Sequence, residues 1–169
     1  MIELIKNVFI GNEADYYSIQ HEHDWAILHC CKHPFHCQFV GYRGKLNPAH
    51  PNYALKRIGN EMALNLVDMD KFSPDYLDFN KKMFEVAFAF LDEYREKGFK
   101  LLIHCNQGES RAPTIGLLYV SRLGVYNYAG FEESVQKLRM VYPQYAPGNN
   151  IYKTVAALWQ YFIKNSNVK

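Results

Sequence analysis

Residues 100–120 constrain the fold of this chain more than any other stretch. Lys100-Leu101-Leu102-Ile103 is a short apolar run bounded by polar residues, the pattern of a buried strand. His104-Cys105-Asn106-Gln107-Gly108-Glu109-Ser110-Arg111 is small and polar, with a glycine in its middle. Ala112-Pro113-Thr114-Ile115-Gly116-Leu117-Leu118-Tyr119-Val120 reads as a helix, with Pro113 in the first turn, where its missing N–H does no harm. Strand, tight loop and helix N-terminus together belong to an α/β architecture. They also build an anion site, because the loop N–H groups and the helix dipole converge on one spot. Cys105 opens the loop and Arg111 closes it six positions later. A cysteine so placed should ionise to a thiolate, and the arginine fork can grip two oxygens of a phosphate. These residue types imply phosphate-ester cleavage through a cysteinyl-phosphate.

The pattern His-Cys-x-x-Gly-x-x-Arg over 104–111 resembles the active-site loop of the cysteine-dependent protein phosphatases, in the protein tyrosine phosphatase superfamily. Ser110-Arg111 followed by Pro113-Thr114 and an apolar helix is most similar to the small dual-specificity branch. Val8-Phe9-Ile10-Gly11-Asn12 resembles the opening strand and turn of that branch, and Pro143 through Asn150 resembles the turn before its last helix. The resemblance implies one phosphatase domain over residues 1–169 and a monomer acting on phosphorylated protein, at phosphotyrosine and also at phosphoserine or phosphothreonine. It implies Cys105 as nucleophile. Arg111 and the amides of Asn106, Gln107, Gly108, Glu109, Ser110 and Arg111 would hold phosphate, and His104 would orient the loop. It requires neither metal nor organic cofactor. The proton donor to the leaving oxygen would come from a loop after an upstream strand. Asp68, at the end of a predicted strand, is preferred; Asp70 is the alternative, and Asp75 falls in the first turn of the next helix. The chain departs from the family at Ala112, where a Ser or Thr hydroxyl usually supports the departing thiolate. That leaves room for a slow enzyme, or for a module that binds phosphate without turning it over.

Spacing alone is weak evidence, and the chain supplies the demonstration. His36-Cys37-Gln38-Phe39-Val40-Gly41-Tyr42-Arg43 also sets a cysteine six residues before an arginine. Pro34 stands where a strand should enter, Phe39, Val40 and Tyr42 are too bulky to wrap a phosphate, and Pro48 bars a continuous helix behind. Cys30, Cys31, His33, His36 and Cys37, with His29 alongside, are zinc ligands by type, but they lack separated C-x-x-C or H-x-x-x-H pairs; core and loop roles are the expectation.

Elsewhere the pattern predicts a first strand over 3–10, closed by Gly11-Asn12, and a buried strand over 25–28. Residues 29–58 read as irregular, with a strand around 37–42. A strand over 61–67 would end at Asp68. A helix capped by Ser73, with Pro74 at its first position, should bury Leu77, Phe84, Ala87, Phe88, Leu91 and Tyr94 and end at Gly98. After the strand over 100–104, helices are predicted at 112–123, 130–141 and 149–164. Strands interleaved with helices make an α/β sandwich with a mostly parallel sheet and a ligand site at the carboxyl end of the 101–104 strand.

Composition narrows the alternatives. With 169 residues, 49% hydrophobic and 21% charged, the chain can bury one core. A net charge of +2 gives no footprint for nucleic acid, and the lysine-free loop disfavours an RNA 5′-phosphate, a phospholipid or a highly phosphorylated inositol. No apolar run reaches the roughly 20 residues of a membrane span, and the early acid Glu3 does not fit a signal peptide. Four cysteines, two of them adjacent, are not a disulfide framework, so the cytoplasm is the expected compartment. Sulfur transfer on a rhodanese-like loop is the remaining rival, but that loop is usually shorter.

Overall fold

The computed structural model describes residues 1–126 and 130–165. Its centre is a six-stranded sheet in the order β1 (Ile2–Ile5), β2 (Val8–Gly11), β6 (Lys100–His104), β3 (Trp25–His29), β5 (Glu61–Leu64) and β4 (Leu55–Ile58). The four inner strands are mutually parallel, and the two edge strands are antiparallel to their neighbours. The sheet is therefore mixed, with the expected parallel core.

Both edges are hairpins that periodicity hid. The apolar run over 3–10 is two strands, because Asn7 takes a left-handed conformation (φ 63°) and turns the chain. Gly59 (φ 58°), followed by Asn60, does the same between β4 and β5. The strand expected over 61–67 stops at Leu64, so Asp68 lies in a loop rather than at a strand end. The segment expected as a strand around 37–42 is instead a wide helical turn at Lys32–His36 and a short helix, α2 (Cys37–Val40), closed by Gly41 at φ 83°. One helix was not anticipated at all. It is α1 (Glu13–Ile19), started by a capping box in which Asn12 Oδ1 accepts from Asp15 N–H and Asp15 Oδ2 accepts from Asn12 N–H.

The helices expected after residue 73 are present. A 3₁₀ turn at Pro74–Tyr76 leads into α3 (Leu77–Glu96), and α4 (Arg111–Arg122), α5 (Phe131–Val141) and α6 (Asn149–Lys164) follow. Ser73 precedes the 3₁₀ turn without a side-chain cap bond to the backbone. Alternation along β6 divides the core. Leu101 and Ile103 join α3, α4 and α6 in the main core, while Leu102 packs with Trp25 and Ile27 beneath Tyr16 and Ile19 of α1. Every residue of α4 from Ala112 to Ser121 is buried. Gly116 allows α4 to lie directly on β2, since a methyl there would collide with Ile10. That close seat aims the N-terminus of α4 at the carboxyl end of β6. Among the described residues no helix is long and apolar enough to cross a membrane.

Candidate active site

The loop from Cys105 to Ser110 joins β6 to α4 and is fastened from outside by its carbonyls. Asn106 C=O accepts from Glu13 N–H at 3.2 Å and Glu109 C=O accepts from Ala146 N–H at 2.8 Å. The Tyr142 hydroxyl donates to Gly108 C=O at 3.0 Å, and the Thr114 hydroxyl donates to Ser110 C=O at 2.7 Å. In a trans peptide the N–H points opposite to the C=O. The N–H groups of Gln107, Glu109, Ser110 and Arg111 therefore turn away from the scaffold, as an anion cradle at a helix N-terminus requires. Gly108 sits at φ 77° against the Gly11 carbonyl, where a Cβ would stand 3.0 Å from that oxygen. Cys105 lies at the floor, 2% exposed, with its N–H toward Gly11 C=O at 3.4 Å.

Arg111 is held in place by two loops. Its Nη2 donates to Asn106 Oδ1 at 2.9 Å and its Nη1 to Leu66 C=O at 3.3 Å. Its Nε is buried without a hydrogen-bond partner and lies 3.7 Å from Asp68 Oδ2. The segment bearing Asp68 is fixed by the first turn of α6. Asn150 N–H donates to Met69 C=O, and Asn149 Nδ2 donates to Asp70 C=O. Gly148 leaves room for the Asp68 carboxylate, which a methyl there would strike. Asp68 thus faces Arg111, whereas Asp70, exposed like Asp68, is tied by its backbone. Asp75 lies in the 3₁₀ turn.

Ala112 is fully buried in the first turn of α4. Of the two neighbouring hydroxyls, Ser110 Oγ accepts from Gly148 N–H at 2.9 Å. Thr114 Oγ1 is spent between Ser110 C=O and the Tyr145 hydroxyl, 2.9 Å away.

The Cys/His cluster disperses. Cys30 and Cys31 enter the core. Cys37 Sγ pairs with His33 Nδ1 at 3.3 Å, and His36 bonds the Tyr42 hydroxyl and Asn52 C=O. Among the described residues no three His, Cys, Asp or Glu side chains group as metal ligands. His29 goes elsewhere, to His104 and Glu61, at 2.6 and 2.8 Å. Sequence reasoning missed this contact; the available signal was that adjacent parallel strands, β3 and β6, both end in histidine.

No family model matches the chain. It is 38% identical over 63 residues to human dual specificity protein phosphatase 5, a stretch covering 37% of this chain and 16% of that protein. It is 33% identical over 109 residues to dual specificity protein phosphatase YVH1 of Plasmodium falciparum (isolate 3D7), covering 64% of this chain and 17% of that one. The chain thus matches about a sixth of the length of these curated relatives. The crystal structure of DUSP15 superposes with a TM-score of 0.65 at 17% identity, covering 97% of this chain and 90% of that one.

Proposed function

We propose that this chain, a relative of the small dual-specificity phosphatases that carries their fold, hydrolyses phosphotyrosine, and also phosphoserine and phosphothreonine, in proteins. The observation that carries the reading is the meeting of Asp68 and Arg111 over the loop that Cys105 opens. Cys105 Sγ attacks phosphorus, the P–O bond to the substrate breaks, and Asp68 gives its proton to the leaving oxygen. A water molecule then attacks phosphorus, Asp68 takes its proton, the S–P bond breaks, and phosphate leaves with the thiolate restored. Arg111 and the loop amides hold the equatorial oxygens and the charge that develops on them. His104 orients the loop. Residues 1–169 act as one phosphatase domain and as a monomer in the cytoplasm, where a reducing environment suits four free thiols. Phosphorylated protein is the partner; nucleic acid and membrane are not.

The test is turnover of p-nitrophenyl phosphate and of phosphotyrosine and phosphoserine peptides. Cys105→Ser should lose all but one percent of activity while still binding phosphate, because a serine hydroxyl does not ionise near neutral pH. Activity above that level would sink the covalent route. Arg43→Ala, in the discarded loop, should remain close to wild type. The committed Thr114 hydroxyl beside Ala112 favours a second reading, a phosphate-binding module with little turnover. Tight phosphopeptide binding without hydrolysis would establish it.

A further inference from the structure

Behind the phosphate loop, on the α1 face of the sheet, lies a line of ionisable side chains that hydrolysis itself does not use. Glu61 Oε2 stands 2.8 Å from His29 Nε2, and His29 Nδ1 stands 2.6 Å from His104 Nε2. The remaining nitrogen, His104 Nδ1, is buried without a hydrogen-bond partner, and the neighbouring Cys105 backbone favours a proton on that ring. Strand register makes the line, since His29 pairs with His104 and Glu61 pairs with Ile27 two residues before His29. Both rings are fully buried. Tyr16 lies flat on His104 at 5.1 Å, and Phe35 stacks on His29 at 4.3 Å.

The protons do not fill this line. Three contacts need one hydrogen each: carboxylate to His29, His29 to His104, and His104 to the Cys105 backbone. With Glu61 ionised and both rings neutral there are only two. The vacant place is the one next to the nucleophile. A third proton would close every contact and leave a carboxylate–imidazolium pair with no net charge.

We propose that Glu61 and His29 are positioning residues that store, through His104, the proton released when Cys105 ionises. Cys105 Sγ–H becomes thiolate, and the proton enters the line by exchange through water. It comes to rest on His29 between Glu61 and His104, and His104 then donates from Nδ1 to the Cys105 backbone. The site carries one negative charge before and after, on Glu61 with the thiol protonated, and on the thiolate once the line is filled. Moving charge within a buried site, rather than adding to it, avoids a desolvation penalty.

The surroundings are consistent with this assignment. On α1, Tyr16 donates to Glu61 and is pushed up to about 12 by burial and by that carboxylate, so it keeps its own proton. Just after β3, burial raises the Cys30 thiol well above its ordinary value. The wide turn and α2 contribute only Phe35 and Phe39 to the rings. From α4 comes the Arg111 cation, felt by Cys30 and Cys31. Burial lowers both histidines; Glu61 opposes this at His29, while His104 is pushed down further by the neighbouring ring. His29, the ring in contact with the Glu61 carboxylate at 2.8 Å, is the one placed to hold the extra proton.

The proposal rests on ionisation of Cys105 and not on turnover of any substrate, so its test stands apart from the phosphatase assay. Histidine ¹⁵N spectra at pH 7 should show one ring protonated on both nitrogens in wild type. That signature should vanish in Cys105→Ser, and in wild type after iodoacetamide converts the sulfur to a neutral thioether. His29→Asn and Glu61→Gln, shown to be folded, should each shift the pH midpoint of Cys105 alkylation upward by about one unit, a tenfold change in rate on the acid side. Identical histidine spectra in wild type and Cys105→Ser would overturn the proposal. So would wild-type alkylation midpoints in both variants. Should His29→Asn or Glu61→Gln fail to fold, the comparison of wild type with Cys105→Ser decides alone.

Discussion

At Ala112 the first turn of α4 presents a methyl group where the resembling phosphatases carry a hydroxyl. The thiolate leaves less easily in the second step when no hydroxyl supports it. Thr114 cannot step in, because its hydroxyl is committed to Ser110 C=O and Tyr145. Breakdown of the cysteinyl-phosphate should then limit turnover, and rapid mixing should show a burst of alcohol product before the steady state. Ala112→Ser should shrink the burst and raise the steady rate; a single-phase wild type with no gain in the variant would mean that the first step is limiting. The same scale decides the proton donor. Asp68→Asn should cost ~10²–10⁴ in kcat/KM, which reports the first step, for alkyl phosphates, and much less for p-nitrophenyl phosphate, whose leaving group needs no proton. Asp70→Asn should follow wild type on both. An inverted pair of results would move the role to Asp70.

At the scale of elements, the loop is rigid because neighbouring pieces of chain grip it. Gly108 lies close against one of these pieces, the Gly11 carbonyl. A side chain there would need a left-handed backbone and would press on Gly11 C=O, so Gly108→Ala should cost ~1–3 kcal/mol and most of the activity. Urea unfolding and turnover together would test this, and an unperturbed variant would show that the loop is more yielding than it is drawn. Elements whose burial is decided locally were legible in the sequence. The strand at 100–104 and the helices around 77–96, 112–122, 131–141 and 149–164 announce themselves through apolar period, Pro starts and Gly stops. The loop between Cys105 and Arg111 was legible for the same reason, since strand, loop and helix are contiguous. What escaped depends on partners far away in the chain. Asn7 and Gly59-Asn60 make hairpins only because a sheet edge waits for them, and α1 is too short for period to reveal, although Asn12 and Asp15 spelled its cap. The tie between His29 and His104 required knowing which strands are neighbours.

For the whole molecule, acid is the revealing stress. His36 and His104 are buried, and burial is the main reason each sits below the ordinary histidine value. Their unfolded value is about 6.5. Below it the unfolded chain binds protons that the folded chain refuses, so stability is full above that value and is lost as pH falls through it. Carboxylates such as Glu93, held at about 2 by Arg57 and Lys97, enter only below their own unfolded range near 4.5, a separate window. The urea midpoint should therefore fall between pH 7.5 and 5.5, and His36→Gln should lessen the fall. An equal fall in that variant would place the sensitivity elsewhere.

The first turn of α6 has a consequence for how the molecule is made. Gly148 fastens Ser110, while Asn150 and Asn149 fasten the carbonyls of Met69 and Asp70, the two residues that follow Asp68. On the ribosome, Cys105 and Asp68, the proposed nucleophile and acid, both emerge before this clasp exists. On the proposed mechanism, a nascent chain carrying Cys105 and Asp68 would be a set of parts without an assembled centre until the final described helix docks.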